Sequence, residues 1–513
     1  MSGFEEVVSK SYEFAGESIF TGVGSLNGTA YPACKIRIPL KTMNRHGLIA
    51  GATGTGKTKS LQLMAEGLSN AGVPVLLMDI KGDLSGLAQP GTENPVVAKR
   101  AGQMALNWKA CGFPVELLTI SDEPGVRLRA TISEFGPVLL GKLLDLNDNQ
   151  ASILSLIFKY CDDKRLPLLD IKDLKSVINY IQEEGKADFQ GEYGYFQTSS
   201  TGTILRQLIA LEQQGADRFF GEPSFEVNDL LRQDREGKGF INILRLTDIQ
   251  TKPDLFSTFM LCLLAEIFEK FPEQGDAPKP ELVIFIDEAH LIFRTASKTL
   301  LEQLDMTVKL IRSKGVGLFF VTQVPDDIPA SILSQLGLKI QHALRAFTAN
   351  DRKSIKAAAE NYPLSDFYKT DEIITQLGIG EALITALNEK GIPTQLVHTI
   401  MAPPQSRMDV LTPGEIEHLV SSSALASDYN RHVDRESAYE LLQQKLHSNL
   451  PDAQDGEPNE YGKSQRNRET VKEEPSMFEQ FLKSPVTKIL VREAARGLFG
   501  VMGLKTTTRR RRF

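Results

Sequence analysis

The 513-residue chain has few cysteines and lacks long apolar runs, and each shortage excludes a class of protein. Its four cysteines are scattered and form no Cys-x-x-Cys or Cys/His cluster, which predicts reduced thiols and no zinc site. No apolar run approaches the roughly 20 residues that cross a bilayer, so we expect no integral membrane segment. The amino terminus is acidic and lacks the apolar core of a secretion signal. Together these features predict a cytoplasmic protein.

Positive charge is not in excess either. The formal net charge is −7, so the chain as a whole does not attract nucleic acid. Any nucleic-acid partner would have to be held by a local patch of lysines and arginines. With 41% hydrophobic residues, the composition is otherwise that of an ordinary globular protein with a substantial core.

Short apolar runs alternate with helical patterns from about residue 45 to residue 400. This alternation predicts an α/β fold with a mostly parallel sheet. Most of the runs are apolar throughout, as expected for strands that helices cover on both faces. The predicted strands are Gly47–Ala50, Val73–Asp79, Val115–Thr119, Gly239–Leu246, Leu282–Asp287, Gly317–Thr322 and Leu338–Ile340.

The pattern changes at two places along the chain. Residues 133–235 have helical spacing and no convincing strand, which predicts a helical insertion within the α/β core. After Pro403-Pro404 the chain becomes more polar, and large apolar residues are scarce before an amphipathic stretch near the end. The predicted units are a core (1–405), a polar helical extension (406–444), a disordered linker (445–476), and an amphipathic helix with a basic tail (477–513).

A phosphate-binding motif occupies Gly51–Thr58. Its sequence fits GxxxxGK[ST], follows a predicted strand and precedes an apolar-periodic helix, which is the context that the motif requires. Glycines let backbone amides surround a β-phosphate, Lys57 neutralises the β/γ oxygens, and Thr58 offers a hydroxyl to Mg²⁺. The predicted nucleotide-binding residues are Gly51, Ala52, Thr53, Gly54, Thr55, Gly56, Lys57, Thr58 and Lys59.

Two acidic residues follow the apolar run Leu282–Ile286. In P-loop ATPases the first acid of such a pair holds Mg²⁺ and the second can activate the attacking water. Asp287, together with Thr58, is therefore the predicted metal ligand, and Glu288 is the predicted general base. For His290, ring packing, a role at a helix amino terminus and a sensing role all stay open.

Two further candidates flank the predicted strand Gly317–Thr322. Gln323 lies at the strand tip, where it could orient the attacking water, although it could also cap a loop. Arg312 precedes the strand, where a cation suits a helix carboxyl end or could reach a neighbouring subunit's nucleotide as an arginine finger. Arg345 and Arg352 are rivals for that second role.

The segment Asp79–Asp83 also belongs to the predicted carboxyl edge of the sheet. Its charged residues could contact a ligand there, or could form an ordinary exposed turn. The sequence has no Asn-Lys-x-Asp motif of GTPases and no His-Arg-Asp or Asp-Phe-Gly motif of protein kinases. These absences leave an ATPase as the favoured class.

The motifs taken together resemble the HerA-like helicase group of the FtsK–HerA ATPases, in particular its bacterial branch of C-terminal-domain proteins. The resemblance covers roughly residues 20–405. It implies a RecA-like motor fold, ATP and Mg²⁺, a homo-oligomeric and often hexameric ring, and movement on double-stranded DNA. The stretches that carry the resemblance are His46–Thr58, Asp79–Leu87, Phe219–Pro223, Phe285–His290 and Lys314–Gln323. The roles that the resemblance implies are nucleotide and Mg²⁺ binding for Lys57 and Thr58, metal binding and catalysis for Asp287 and Glu288, a sensor for Gln323, and a trans finger for Arg312.

One departure from that group is expected. HerA helicases carry a β-barrel ahead of the motor, whereas only Met1–Ala50 precedes the phosphate-binding loop here, so a full barrel does not fit. Lys164, Arg165 and Lys172 in the insertion could contact DNA or form a solvated helix face. The run Arg509–Arg512 could bind phosphates, meet anionic lipid or be a frayed tail.

The first functional hypothesis is thus an oligomeric P-loop ATPase that couples hydrolysis to translocation on DNA. A protein-translocating or remodelling motor and a nucleotide-dependent scaffold stay open as alternatives.

Overall fold

The computed structural model describes residues 3–248, 252–275, 277–295, 298–346, 348–431, 433 and 435–448. The predicted linker from residue 449 onward and the predicted amphipathic helix with its basic tail lie outside the described residues. Within the described part, no helix combines the length and the apolar character that a membrane span requires.

The described chain forms twelve strands and seventeen α-helices. The strands are β1 (Ser18–Leu26), β2 (Thr29–Pro39), β3 (Gly47–Ala50), β4 (Val75–Asp79), β5 (Val115–Thr119), β6 (Val126–Arg127), β7 (Ile241–Arg245), β8 (Leu282–Ile286), β9 (Val316–Thr322), β10 (Leu338–Gln341), β11 (Glu381–Thr385) and β12 (Val397–Met401). The helices that precede β7 in the chain are α1 (Gly3–Ser11), α2 (Lys57–Asn70), α3 (Pro95–Gln103), α4 (Ile132–Leu143), α5 (Asp148–Lys164), α6 (Ile171–Gln182), α7 (Lys186–Tyr193) and α8 (Thr198–Gln213). The later helices are α9 (Pro253–Lys270), α10 (His290–Thr295), α11 (Lys298–Leu310), α12 (Ala330–Leu333), α13 (Ala349–Glu360), α14 (Thr370–Gln376), α15 (Pro413–Ser421), α16 (Ala424–Tyr429) and α17 (Ala438–Ser448).

All described strands join one sheet in the order β2-β1-β12-β11-β10-β3-β9-β8-β4-β7-β5-β6. From β10 to β6 every neighbouring pair is parallel, whereas the pairs from β2 to β10 are antiparallel. The α/β fold with a mostly parallel sheet is therefore confirmed. In the parallel part, the carboxyl ends of all strands meet at one edge.

The seven predicted strands are all present, with ends shifted by no more than two residues. The prediction missed β1, β2, β6, β11 and β12. The burial of β2 shows why, because several of its side chains are exposed and it presents no continuous apolar run. Four of these five strands build the antiparallel side of the sheet, where a face can remain in contact with water.

The core lies on both faces of the parallel strands. All five residues of β8 are buried, and alternate side chains join different apolar clusters. Ile284 and Ile286 pack in one cluster, whereas Val283 and Phe285 pack in the other. Because helices cover both faces, the polar residues of the parallel part are concentrated beyond the strand ends.

Helices α4–α8 occupy the chain between β6 and β7, with buried residues such as Ile178 and Phe189 in their contacts. Two of the three cations considered as DNA contacts, Lys164 and Lys172, have partners in the structure. Lys164 pairs with Asp188 at 3.2 Å and with Glu192 at 2.8 Å, and Lys172 Nζ lies 3.4 Å from the centroid of the Tyr439 ring. The domain limits given above stay predictions.

Candidate nucleotide-binding site

The phosphate-binding loop connects β3 to α2 and has the backbone that its glycines permit. Gly56 adopts a φ of 117° immediately before α2, a conformation that residues with a side chain rarely adopt. At Gly51 a Cβ atom would lie 2.5 Å from Cβ of His342, so only glycine allows this close approach. Thr53 and Gly54 form the exposed tip of the loop, and Thr55 is buried beneath it.

Lys57 begins α2, and its side chain is folded into the loop. Its ammonium donates to the carbonyl oxygens of Gly51 at 2.6 Å and Ala52 at 3.2 Å. Burial lowers the pKa of Lys57, and the nearby positive charge of Lys81 lowers it further. The ammonium is thus held inside the loop, where phosphate oxygens would be its strongest partners.

The next two residues of α2 differ in their surroundings. Thr58 is partly buried in the first turn, as a hydroxyl ligand for Mg²⁺ would need to be. Lys59 instead donates to the carbonyl oxygen of Met408 at 2.5 Å and to Gln62 Oε1 at 3.3 Å. In this arrangement the Lys59 ammonium ties α2 to the segment after β12.

Asp287 and Glu288 follow β8 directly and are both buried. Burial raises the pKa of Asp287 to about 6, although the neighbouring Lys81 opposes that shift. Glu288 adopts a φ of 47°, which is uncommon for a residue other than glycine. One of its oxygens, Oε1, contacts the ammonium of Lys81, and His290 Nδ1 lies 3.0 Å from the other, Oε2.

The surroundings of this acidic pair fit a magnesium ion. Among the described residues, Asp287 Oδ2 and Asp83 Oδ1 are buried and have no hydrogen-bond partner. Buried polar atoms are rarely left without one. No cluster of three or more ligating side chains occurs in the described part of the chain. Mg²⁺ is commonly held by one or two carboxylates, with phosphate oxygens and waters completing its shell, so this donor set suits it.

Asp79 fixes the turn that carries Lys81 and Asp83. Its carboxylate accepts backbone N–H bonds from Gly82 at 2.7 Å, Asp83 at 3.2 Å and Leu84 at 3.1 Å. Burial raises the pKa of Asp79 to about 7 despite these bonds. Asp79 therefore anchors the backbone of the turn rather than facing a ligand.

Gln323 leaves β9 at the same edge of the sheet and is exposed. Its position follows from β9 pairing with β3, in which Thr322 lies opposite Ala50. The loop is tied to this strand end because Gly51 N–H donates to the Thr322 carbonyl at 3.2 Å. The structure thus brings Gln323 to the predicted edge, with its side chain open to solvent.

Arg312 lies at the opposite edge, because it precedes the amino end of β9. There it lines a cavity of about 460 Å³ together with Arg45, Lys309 and Lys339. Arg312 is therefore remote from the phosphate-binding loop of its own chain. The rival Arg345 follows β10, and its guanidinium donates to the Thr375 carbonyl at 2.9 Å; Arg352 is an exposed residue of α13.

His46 anchors the segment that carries Arg312. Its Nδ1 accepts from the Leu318 N–H at 3.0 Å, so Nε2 carries the proton and donates to the Val308 carbonyl at 2.6 Å. Burial lowers the pKa of His46 to about 4, and the charge of Arg312 adds to that effect. A neutral imidazole thus ties β3 to the end of α11 and to β9.

Sequence reasoning missed His342, which braces the loop. Its Nε2 lies 2.8 Å from Ser60 Oγ on α2, and its Nδ1 donates to the Glu381 carbonyl at 2.9 Å. Burial, with a smaller contribution from Lys57, lowers its pKa to about 4. The sequence carries little signal for this role, because His342 meets Ser60 only through the pairing of β10 with β3.

Three features meet at one edge of the parallel sheet: a phosphate-binding loop, an acidic pair two strands away and a polar residue on the strand between them. This arrangement defines a P-loop nucleotide-binding protein of the RecA-like class. The chain belongs to the helicase HerA-like C-terminal family, whose sequence profile matches residues 26–507.

Two kinds of relative are similar to this chain. The DNA double-strand break repair helicase HerA of Sulfolobus acidocaldarius is 21% identical over 363 residues, which cover 70% of this chain and 66% of the relative. The chain thus spans slightly under two thirds of that relative's length. The bacterial conjugative coupling protein TrwB has the same fold, with a TM-score of 0.51, 14% identity, and coverage of 79% of this chain and 94% of that one. TrwB has also been solved with ADP and Mg²⁺, in a structure with a TM-score of 0.50, 15% identity, and coverage of 80% and 95%.

Replacing Lys57 by alanine tests the phosphate-binding role of the loop. We expect Lys57→Ala to bind ATP roughly 10- to 100-fold more weakly, since it loses charged hydrogen bonds to phosphate. Equilibrium binding of a fluorescent ATP analogue measures the loss, and thermal unfolding checks that the fold persists. Lys186→Ala, at an exposed position of α7, is the matched control. Unchanged affinity in Lys57→Ala would contradict the assignment.

Proposed function

We propose that this protein hydrolyses ATP as an oligomeric motor and couples hydrolysis to movement on double-stranded DNA. The observation that carries the proposal is the position of Asp287 and Glu288, buried at the same sheet edge as the phosphate-binding loop. An acidic pair beside such a loop supplies both a metal ligand and a base for water, which simple nucleotide binding does not require.

In the proposed reaction each residue has a separate task. Lys57 and the backbone amides of the loop would hold the β- and γ-phosphates of ATP, and Thr58 and Asp287 would be the protein ligands of Mg²⁺. Bound there, Mg²⁺ would neutralise charge that develops on the phosphate oxygens. Glu288 accepts the proton of the attacking water, and Gln323 orients that water from the neighbouring strand tip.

The DNA part of the proposal is supported by family membership. The matched relative is named a DNA double-strand break repair helicase, and its similarity covers most of this chain. The chain's net charge of −7 does not conflict with this, because a ring needs only a few cations per subunit in its bore. Lys164 already has a partner in α7 and Lys172 has one in α17, so they are poor candidates for such cations.

The direct test measures the rate of ATP hydrolysis with double-stranded DNA, with single-stranded DNA and without nucleic acid. We expect hydrolysis that depends on Mg²⁺ and increases with double-stranded DNA, and an oligomer mass by light scattering. Glu288→Gln keeps the shape of the side chain but removes the base, so we expect hydrolysis roughly 10²- to 10⁴-fold slower with ATP still bound.

Three outcomes would contradict parts of this proposal. An unchanged rate in Glu288→Gln would remove the catalytic assignment. Hydrolysis indifferent to DNA, without DNA binding at low salt, would remove the DNA partner and favour a motor that acts on protein. Tight ATP binding with negligible turnover under every condition would favour a nucleotide-dependent scaffold.

We also propose that Arg312 acts on the nucleotide of a neighbouring subunit. Arg312 lies at the amino edge of the sheet, whereas its own phosphate-binding loop lies at the carboxyl edge. It can therefore reach a nucleotide only if a second chain brings its carboxyl edge to this surface. A homo-oligomeric ring, which is often hexameric in the HerA-like helicase group, provides such head-to-tail contacts.

Mixing two inactive variants tests this arrangement. We expect Arg312→Ala to bind ATP normally but hydrolyse it slowly, because a finger can contribute about 10³- to 10⁵-fold. Lys57→Ala retains Arg312 but cannot hold ATP. A mixture of the two should recover activity, since some sites combine an intact Lys57 with a neighbour's Arg312. If mixed oligomers form but ATP hydrolysis does not recover, the proposal is contradicted. Arg345→Ala and Arg352→Ala are the matched controls.

A further inference from the structure

Lys81 brings a second ammonium, besides that of Lys57, to the acidic pair. It follows β4, and β4 lies directly beside β8, with Met78 opposite Ile286. Sequence reasoning left the segment around Lys81 as either a ligand contact or an exposed turn. The strand order decides where this segment lies, because it brings the carboxyl end of β4 next to Asp287 and Glu288.

The ammonium of Lys81 contacts Glu288 Oε1, but the two side chains differ in exposure. The Lys81 side chain is 36% exposed, whereas that of Glu288 is 7% exposed. Burial alone lowers the pKa of Lys81, but Asp287 and Glu288 together raise it above its ordinary value. Lys81 is therefore a cation at the mouth of the site, and Glu288 is its partner on the inner side.

The backbone of Lys81 is fixed while its side chain has room to move. Asp79 accepts N–H bonds from Gly82, Asp83 and Leu84, which hold the turn on the carboxyl side of Lys81. Gly82 adopts a φ of 75° within this turn. A long side chain on a rigid turn, with its charged end near solvent, can exchange one anionic partner for another without backbone movement.

Charge provides the reason for such an exchange. Lys57 and Lys81 carry two positive charges beside Asp287 and Glu288, and Asp83 adds a third carboxylate near Lys81, so Lys81 already lies among several anionic groups. A triphosphate with Mg²⁺ brings additional negative charge to the same edge of the sheet. The γ-phosphate oxygens then compete with Glu288 for the Lys81 ammonium, because they form charge-assisted hydrogen bonds as a carboxylate does and the γ-phosphate carries more negative charge.

We propose that Lys81 is a γ-phosphate-binding residue that pairs with Glu288 when no triphosphate is present. Pairing with the γ-phosphate releases Glu288 Oε1, which can then accept the proton of the attacking water. This inference rests on the proposed function, because it requires a triphosphate at the phosphate-binding loop. It predicts that Lys81 distinguishes ATP from ADP, since only ATP carries the group that Lys81 binds.

The test compares the affinities of the full chain for a non-hydrolysable ATP analogue and for ADP, both with Mg²⁺. We expect Lys81→Met to bind the analogue roughly 10- to 100-fold more weakly and ADP within about threefold of the unaltered protein. Lys81→Arg keeps the charge and should lose less affinity for the analogue. Lys186→Met, in which an exposed lysine of α7 is replaced, should change neither affinity.

Binding of ADP is also the check that the variant is folded. If Lys81→Met fails to bind ADP, then Lys81→Gln, whose amide can still donate to Glu288, is measured in the same way. Equal losses for both nucleotides, or no loss for either, would overturn the role of Lys81. The proposed function fails separately, if the unaltered protein binds neither nucleotide or if Glu288→Gln hydrolyses ATP at the full rate.

Discussion

The parallel pairing of β3, β9, β8 and β4 is the constraint on which the candidate site depends. These four strands are neighbours in the sheet although they come from distant parts of the chain. Parallel strands direct all their carboxyl ends to one edge, so the residues that follow them become neighbours as well. The phosphate-binding loop, Gln323, the acidic pair and Lys81 meet for this reason. A change in strand order would separate them without altering any motif.

The same edge holds the carboxylates of Asp79, Asp287 and Glu288, and all three residues are buried. Placing carboxylates there is unfavourable unless partners compensate them, and the raised pKa of Asp287 reflects that cost. Lys57 and Lys81 supply two positive charges, and backbone amides supply the partners of Asp79. Asp287 Oδ2 still has no hydrogen-bond partner among the described residues. This remaining imbalance is the physical reason to expect a cation and a phosphate at this place.

Sequence reasoning reached the parallel part of the sheet, apart from the two-residue strand β6, because the other strands there are continuous apolar runs. It also reached the loop, whose glycines and lysine have a spacing that few other structures require. It missed β1, β2, β11 and β12, because none of them is a continuous apolar run: several side chains of β2 are exposed, and His398 and Thr399 interrupt the apolar residues of β12. It also gave Lys81 no specific partner, and it missed His342. Their partners, Glu288 and Ser60, lie far away in the chain and become neighbours only through strand order.

The central claim is that this edge of the sheet binds ATP together with Mg²⁺. Calorimetric titration of ATP into the full chain, with Mg²⁺ and then with a chelator in its place, tests the claim most directly. We expect one nucleotide per chain and markedly weaker binding when Mg²⁺ is removed. Absence of ATP binding, or binding of equal strength without Mg²⁺, would contradict it.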